Sequence, residues 1–287
     1  MKRVACVGEA MIELSIMGDD AQVNVAGDTL NTAIYLHRSA PQVSVDYITC
    51  LGHDAFSERI SNFIADHGIG IAQIQRVSDG SPGLYAITTS AEGERSFTYW
   101  RNNSAARRLF ADCDFRVLEN YDFVYLSGIS MAILPHMVRL SLLEWLNNSP
   151  ISLIFDSNYR PYLWDNLDHA REITSAIWSR ADILLPSMDD EMLLFSETED
   201  QVVLRFLTTA KSGALKRGAE GPLSLGTTVH STYEPSAKVV DTTAAGDSFN
   251  GGYLGAVLSG GNQVEALISG HELASKVIQY RGAIIPD

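Results

Sequence analysis

The segment whose residues are best suited to catalysis or ligand binding is Asp241–Tyr253, which reads DTTAAGDSFNGGY. Small residues in a loop let backbone N–H groups approach a ligand, and the helix-like segment 248–259 adds free donors and a positive partial charge. Asp247 stands in the first turn of that helix, beside the place where an anion would bind. Phosphoryl transfer to an alcohol requires hydrogen-bond donors that bind the phosphate and a nearby carboxylate that accepts the hydroxyl proton. An acid that only stabilises a helix start is the alternative interpretation.

Two further segments place polar side chains where they could contact a small ligand. Residues 26–33 (AGDTLNTA) form a small-residue loop before a helix, although Asp28 there is equally consistent with a simple N-cap. In the extended segment 96–102, Tyr99 and Arg101 project to one face. A phenol beside a guanidinium suits a ligand with hydroxyls and a carboxylate, and an ordinary surface pair is the alternative.

A third polar segment, residues 155–161 (FDSNYRP), follows an apolar strand and should lie where open α/β sheets bind ligands. Asp156, Asn158 and Arg160 share a face for as long as the chain stays extended. A structural pair between the aspartate and the arginine explains the same pattern.

Together these motifs resemble those of the PfkB (ribokinase-like) carbohydrate kinases, and the resemblance runs from Val4 to Pro286. The first segment is similar to the family signature D-T-x-G-A-G-D, and residues 26–33 to its N-terminal G-G-x-x-x-N-x-A motif. In detail the chain looks most like the members that phosphorylate 2-keto-3-deoxygluconate. The resemblance implies that Asp247 is the catalytic base. Because Ala244 replaces the first glycine of the signature, we expect no positive φ at that position.

The resemblance also implies roles for residues along the whole chain. The γ-phosphate would be held by the amides of Ala244, Ala245 and Gly246. The sugar acid would be bound by Gly27, Asp28, Asn31, Tyr85, Tyr99, Arg101 and Arg160. ATP would lie against Asn158, Arg160, Ser187, Lys216, Gly218, Gly221 and Gly246. Mg²⁺ would be organised by Asp190, in a segment where serine replaces the asparagine of the family. Two arginines facing one substrate are hard to explain for a neutral sugar and suit a sugar acid.

Strand-like and helix-like segments alternate along most of the chain, which predicts an α/β fold with a mostly parallel sheet covered by helices. The resemblance implies a ribokinase-like three-layer α/β/α sandwich in a single kinase domain, 1–287. Segments 12–25 and 83–101 break the rhythm by alternating polar and apolar residues, with a hairpin-like turn at 90–94. They predict a small second sheet, which the resemblance implies to be a lid that closes over the sugar and carries a dimer contact.

Composition narrows the possible functions. The net charge of −14 argues against a nucleic-acid or anionic-membrane partner, and no apolar run is long enough to span a bilayer. We therefore expect a cytoplasmic protein. Cys6 and Cys50 lie in apolar strands and are predicted to be buried thiols, while the seven scattered histidines give no sign of a structural zinc site.

The sequence thus predicts an ATP- and Mg²⁺-dependent kinase that phosphorylates the primary hydroxyl of a sugar acid and forms a homo-oligomer through its small sheet. Another PfkB kinase acting on fructose, ribose or a nucleoside remains an alternative, as does a non-catalytic sensor of sugar acids or nucleotides on the same fold. A Rossmann dehydrogenase is disfavoured because Gly8-Glu-Ala-Met lacks the G-x-G-x-x-G pattern. Helix-like residues end near Gly213, which leaves little room for a core strand before Lys216 and suggests that residues are missing there.

Overall fold

A computed structural model describes residues 1–89 and 95–286, so the turn predicted at 90–94 lies outside the described residues. The strands are β1 (Arg3–Val7), β2 (Met11–Met17), β3 (Asp20–Ala26), β4 (Ser44–Ile48), β5 (Cys50–Leu51), β6 (Gln75–Arg76), β7 (Leu84–Thr89), β8 (Arg95–Trp100), β9 (Phe123–Ser127), β10 (Ser152–Asp156), β11 (Ile183–Leu185), β12 (Gly213–Leu215) and β13 (Leu223–Leu225). The α-helices are α1 (Asp28–Ser39), α2 (Ala55–Asp66), α3 (Gly128–Ile133), α4 (His136–Asn148), α5 (Leu167–Arg180), α6 (Met188–Phe195), α7 (Glu199–Thr209), α8 (Ala245–Leu258) and α9 (Gln263–Val277).

Seven strands form the central sheet, in the order β13-β12-β11-β10-β9-β1-β4. Every neighbouring pair is parallel except β12 with β13, which is antiparallel. The carboxyl ends of the parallel strands therefore meet along one edge, where open α/β sheets bind their ligands.

Two apolar cores cover the two faces of this sheet. Along β1, Ala5 and Val7 belong to the core under α4 and α5, whereas Val4 and Cys6 belong to the core under α1, α8 and α9. Alternate side chains of a strand point to opposite faces, so helices pack on both sides of the sheet. The predicted three-layer α/β/α arrangement is confirmed. Cys6 and Cys50 are buried, as predicted.

A separate four-stranded sheet, in the order β3-β2-β7-β8, is formed by the two segments whose alternation breaks the βα rhythm. We call it the small sheet. Side chains on one of its faces include Glu13, Tyr85 and Tyr99, because these residues stand opposite one another in the strand register. The predicted second sheet is confirmed. No helix among the described residues is long and apolar enough to cross a membrane.

Three local predictions need correction. The apolar pattern of residues 46–50 predicts one strand, but β4 ends at Ile48 and Cys50 instead pairs with Gln75 in a two-stranded sheet. The alternating polar and apolar residues 237–240 predict an extended lead-in to the loop at 241–247, but they form no strand and the side chain of Val239 is exposed. The strand thought to be missing before Lys216 is present, because α7 ends at Thr209 and leaves Gly213–Leu215 free to pair with β11 and β13.

Candidate active site

A cleft of about 730 Å³ lies at the carboxyl ends of the central strands and is covered on one side by the small sheet. Asp156 ends β10, Ser187 follows β11 and Lys216 follows β12, so the parallel strands themselves bring these side chains together. The cleft is lined by Gly27, Asp28, Asn31, Tyr85, Tyr99, Arg101, Asn158, Arg160, Ser187, Asp190, Lys216, Gly218, Ala244, Ala245, Gly246 and Asp247. Of the residues predicted for the site, Gly221 does not line the cleft.

Gly221 is instead explained by local packing. Its φ is 79°, a left-handed conformation that favours glycine, and a Cβ there would come within 2.7 Å of the Tyr233 side chain. The glycine is required for the turn after Lys216 and Gly218 to close.

Helix α8 begins at a tight turn, in which Thr242 O accepts a hydrogen bond from the Ala245 N–H at 3.1 Å. Ala244 occupies the third position of this turn, with φ 60° and ψ 18°, where glycine is usually found. The expectation that this alanine needs no positive φ is therefore wrong. The turn requires a positive φ at this position, and the alanine side chain does not prevent it. Since the Ala245 N–H donates within the turn, we expect the N–H groups on either side of it to face an anion.

Asp247 lies in the first turn of α8 at the inner end of the cleft, and its Oδ2 accepts a hydrogen bond from Asn31 Nδ2 at 2.8 Å. The pKa of Asp247 is raised to about 8, chiefly by burial and also by the nearby charges of Asp28 and Asp156, while the Asn31 hydrogen bond and the Lys216 charge oppose the rise. A carboxyl with a pKa near the working pH is suited to exchange protons with a bound hydroxyl.

Asp28 is not the N-cap of α1, since Gly27 takes that position without a side-chain cap. Its Oδ2 accepts hydrogen bonds from Ser127 Oγ at 2.5 Å and Asn158 Nδ2 at 2.7 Å. A Cβ on Gly27 would lie 2.5 Å from Glu9 O, so only glycine lets the chain pass at this point. The carboxylate of Asp28 is thereby fixed at the wall of the cleft.

A buried network links Lys216 to the base of the site. Lys216 Nζ donates to Asp156 Oδ1 at 2.8 Å and to Asn250 Oδ1 at 3.2 Å, and Asn250 Nδ2 donates to Asp156 Oδ2 at 2.6 Å. A Cβ on Gly246 would be 3.6 Å from Nζ, so the ammonium stands beside the start of α8. Sequence reasoning missed Asn250, although its spacing of three from Asp247 on one helix indicates the same face.

Arg160 reaches the cleft by a turn, because Asn158 has φ 25° and the chain leaves the extended conformation there. The segment is therefore not extended throughout, although its polar side chains do line the cleft. The partner of Arg160 is Asp190, at 3.4 Å from Nη1 to Oδ1. Burial raises the pKa of Asp190, while Arg160 opposes the shift.

Tyrosine rings form the outer wall. Tyr85 stacks on Tyr99 at 5.5 Å, and Tyr99 contacts Tyr162 at 5.8 Å between ring centroids. The Tyr85 hydroxyl donates to the carboxylate of Glu13, and burial raises the pKa of Tyr99 to about 12. Tyr162 and Glu13 were not predicted as site residues. The only sequence signal for Tyr162 is that it lies two residues after Arg160, and the only signal for Glu13 is that its strand position pairs with Tyr85.

Arg101 is buried at the edge of the cleft, and its Nη2 donates to the buried carboxylate of Glu9. The cleft is also lined by residues in or just after α9 that sequence reasoning missed: His271, Ala274, Ser275 and Ile278. A second cavity, of about 950 Å³, adjoins the first and shares Ala26, Tyr85, Phe97, Thr243 and Ala283 with it.

A family model for pfkB carbohydrate kinases matches residues 1–287. The chain belongs to the pfkB family. This pfkB protein is 43% identical over 303 residues to the 2-dehydro-3-deoxygluconokinase of Dickeya dadantii, covering 99% of this chain and 97% of the relative. The enzyme of the same name from Escherichia coli K12 is 40% identical with the same coverage.

Solved structures of pfkB proteins share the fold. A PfkB protein from Polaromonas is 26% identical, with a TM-score of 0.80 over 97% of this chain and 96% of that one. Aminoimidazole riboside kinase from Salmonella enterica, solved with aminoimidazole riboside and an ATP analog, has a TM-score of 0.81 at 22% identity, covering 98% and 95%. The prediction of a ribokinase-like fold is confirmed.

Proposed function

We propose that this chain transfers the γ-phosphoryl group of ATP to the 6-hydroxyl of 2-keto-3-deoxy-D-gluconate, also called 2-dehydro-3-deoxygluconate, giving the 6-phosphate and ADP. Relatives of this name cover nearly the whole chain, at 38–43% identity. The observation that carries the chemistry is that Asp247, the start of α8 and two arginines line one cleft.

In the proposed reaction the substrate hydroxyl oxygen attacks the γ-phosphorus and the bond to the β–γ bridging oxygen breaks. The hydroxyl proton passes to the Asp247 carboxylate, and ADP leaves with the electron pair of the broken bond. The N–H groups at the start of α8 and the Lys216 ammonium stabilise the charge on the transferred group, because both are fixed before the substrate binds.

The substrate carboxylate would be bound at the end of the cleft where Arg101 and Arg160 lie, with Tyr85 and Tyr99 along the carbon chain. Of the two guanidiniums, that of Arg160 is more accessible to the substrate carboxylate, because its side chain is 42% exposed and its contact with Asp190 is long, at 3.4 Å. Asp28 and Asn31 would contact the hydroxyls, since both face the cleft between the arginines and the base.

The nucleotide would lie against Asn158, Ser187, Lys216, Gly218 and the α9 residues that line the cleft. Carboxylate oxygens are the ligands that Mg²⁺ prefers, and Asp190 lines the cleft close enough to Lys216 for the ammonium to lower its pKa, so this carboxylate would hold a magnesium ion through water. When bound, Mg²⁺ neutralises charge on the phosphates.

We also propose that the small sheet closes over the sugar as a lid and carries a contact between two copies of the chain. The alternation of strand β8 turns Trp100 away from Tyr99 and the cleft, and Trp100 is 58% exposed. Together with Phe97, which is 50% exposed, Trp100 gives strand β8 an exposed apolar surface, which suits a protein contact.

The test is ADP release by the purified protein with Mg-ATP and a panel of acceptors: the gluconate- and galactonate-derived 2-keto-3-deoxy acids, fructose and ribose. We expect turnover with a sugar acid, a 6-phosphate product by ³¹P NMR, and little turnover with the neutral sugars. Equal or faster phosphorylation of fructose or ribose would overturn the proposed substrate class. ATP binding without turnover on any acceptor would favour a sensor.

A further inference from the structure

Two histidines and an aspartate meet on the face of the molecule covered by α4 and α5. His136 is the first residue of α4, Asp165 precedes α5, and His169 lies in the first turn of α5. One potential ligand atom from each residue lies within 4.8 Å of the other two. We call these three residues the histidine cluster. Asp165 and His169 are four residues apart, but His136 lies far from both in the sequence, so spacing alone gave no sign of the cluster.

Each imidazole of the histidine cluster is partly exposed but keeps one nitrogen atom buried. The Nδ1 atoms of His136 and His169 are both buried and have no partner among the described residues. Their rings lie 4.5 Å apart. Buried nitrogen atoms in proteins are nearly always paired, so two such atoms side by side point to a bound species that completes them.

Asp165 is positioned for such a species by a buried arginine. Arg139 Nη1 donates to Asp165 Oδ2 at 2.9 Å, and the guanidinium is fixed by Met131 O at 2.8 Å and Ala132 O at 2.6 Å. Arg139 thus fixes the Asp165 carboxylate through Oδ2, the same oxygen that faces the His169 imidazole. Protein ligands of metal ions are commonly oriented by hydrogen bonds of this kind.

We propose that the histidine cluster binds a divalent transition-metal ion of the zinc class, with His136, His169 and Asp165 as ligands and water completing the coordination. Two imidazoles and one carboxylate form a donor set that zinc, cobalt and nickel accept and that magnesium does not prefer. His169 Nδ1 lies 3.8 Å from Asp165 Oδ2, close to the separation of two ligands on one ion. All three side chains are partly exposed, so small rotations bring them onto one ion.

The histidine cluster is connected to the candidate active site through a short segment. Asp165 follows Tyr162 by three residues, and Arg160 precedes Tyr162 by two. An ion at the cluster would tie this segment to α4 through His136. We therefore expect the metal to stabilise the fold around the sugar-binding wall without taking part in phosphoryl transfer.

The first experiment uses Co²⁺, whose visible absorption reports coordination by nitrogen and oxygen ligands. One equivalent of Co²⁺ added to chelator-treated full-length protein should produce a d–d band, and one equivalent of Zn²⁺ should abolish it. Zn²⁺ should also raise Tm by a few degrees. The readout is independent of kinase activity, so failure of the proposed function would leave it interpretable.

Three variants locate the site. His136→Gln with His169→Gln should remove both the Co²⁺ band and the Zn²⁺-dependent rise in Tm, and Asp165→Asn should weaken Co²⁺ binding at least tenfold. His230→Gln, at an exposed histidine outside the cluster, should leave both signals unchanged. Absence of a Co²⁺ band in the wild-type protein, or an equal band in the double histidine variant, would overturn the proposal.

Discussion

Arg101, just after β8, and Glu9, in the loop after β1, form an ion pair that joins the small sheet to the central sheet. Both side chains are almost completely buried, with exposures of 4% and 1%. Glu9 Oε1 and Arg101 Nε have no hydrogen-bond partner among the described residues. The guanidinium expected to bind the substrate carboxylate is thus already neutralised by a carboxylate of the protein, and this relationship sets the first two predictions.

The stability of the pair can be measured by a double-mutant cycle. Glu9→Met or Arg101→Met alone leaves one buried charge without its partner, and we expect each to lower the free energy of unfolding by about 3–5 kcal/mol. The double variant leaves no unpaired buried charge, so its loss of unfolding free energy should be much smaller than the sum of the two single-variant losses. Urea unfolding of the four proteins provides the measurement, and additive losses would show that the pair is not coupled.

The contribution of Arg101 to substrate binding requires a variant that keeps the charge opposite Glu9. Arg101→Lys retains the positive charge but loses the planar pair of donors that matches a carboxylate. We expect KM for the sugar acid to rise about tenfold, corresponding to about 1.4 kcal/mol, while KM for ATP changes less than twofold. Steady-state kinetics with each substrate varied in turn checks this, and a larger effect on ATP would place Arg101 at the nucleotide.

Asp247→Asn tests the base directly. The amide oxygen can still accept the hydrogen bond from Asn31, so the shape of the site is kept, but the side chain cannot take a proton. We expect kcat to fall by about 10²–10⁴-fold with KM values nearly unchanged. Single-turnover product formation and substrate binding by calorimetry separate the two effects. A variant with more than a tenth of the wild-type kcat would refute the assignment.

The raised pKa of Asp247 predicts how activity depends on pH. A base must be ionised to accept a proton, so kcat/KM should rise with pH through a midpoint near 8 in the free enzyme. Because the charge of Asp28 contributes to the shift, Asp28→Asn should move that midpoint to lower pH even though it also reduces the rate. An unchanged midpoint in this variant would show that the titrating group is not Asp247.

The same shift has a consequence for stability. The folded state binds the Asp247 proton more tightly than the unfolded state, whose aspartates titrate near pH 4. The contribution of this group to stability is therefore complete below about pH 4 and is lost as pH rises toward about 8. The Asp247→Asn variant has no such titration, so it does not lose this stability as pH rises. The Tm of the variant minus the Tm of the wild type should therefore be larger at pH 8 than at pH 5, as measured by thermal unfolding.

Much of the fold and the site could be predicted because the relevant signals are local. The bounds of β9, β11 and α5 follow from apolar patterns, and parallel strands then bring the ends of β10, β11 and β12 to one edge. The motifs that share the cleft are contiguous runs, so their residues could be named before the fold was known.

The remaining features arise from contacts between distant residues. Glu9 and Arg101 are joined by a pairing that neither segment signals, and the α9 surface of the cleft looks like an ordinary amphipathic helix in sequence. Gly221 was assigned to the nucleotide because a glycine turn has the same appearance whether it contacts a ligand or only packs against Tyr233. These features depend on tertiary packing, and the periodicity of a sequence carries no information about which distant residues pack together.

The left-handed conformation of Ala244 gives a prediction with a matched control beside it. An L-residue with a Cβ pays roughly 1–2 kcal/mol in this conformation, whereas glycine adopts it freely but loses about 0.5–1 kcal/mol through the entropy of the unfolded chain. Ala244→Gly should therefore raise the free energy of unfolding by up to about 1 kcal/mol and leave kcat within twofold, since the N–H directions at the start of α8 are kept. Ala245→Gly, one residue into the helix, should instead lower stability by up to about 1 kcal/mol. Thermal unfolding of both variants checks the difference, and equal destabilisation by the two would mean that the turn at Ala244 carries no strain for a glycine to relieve.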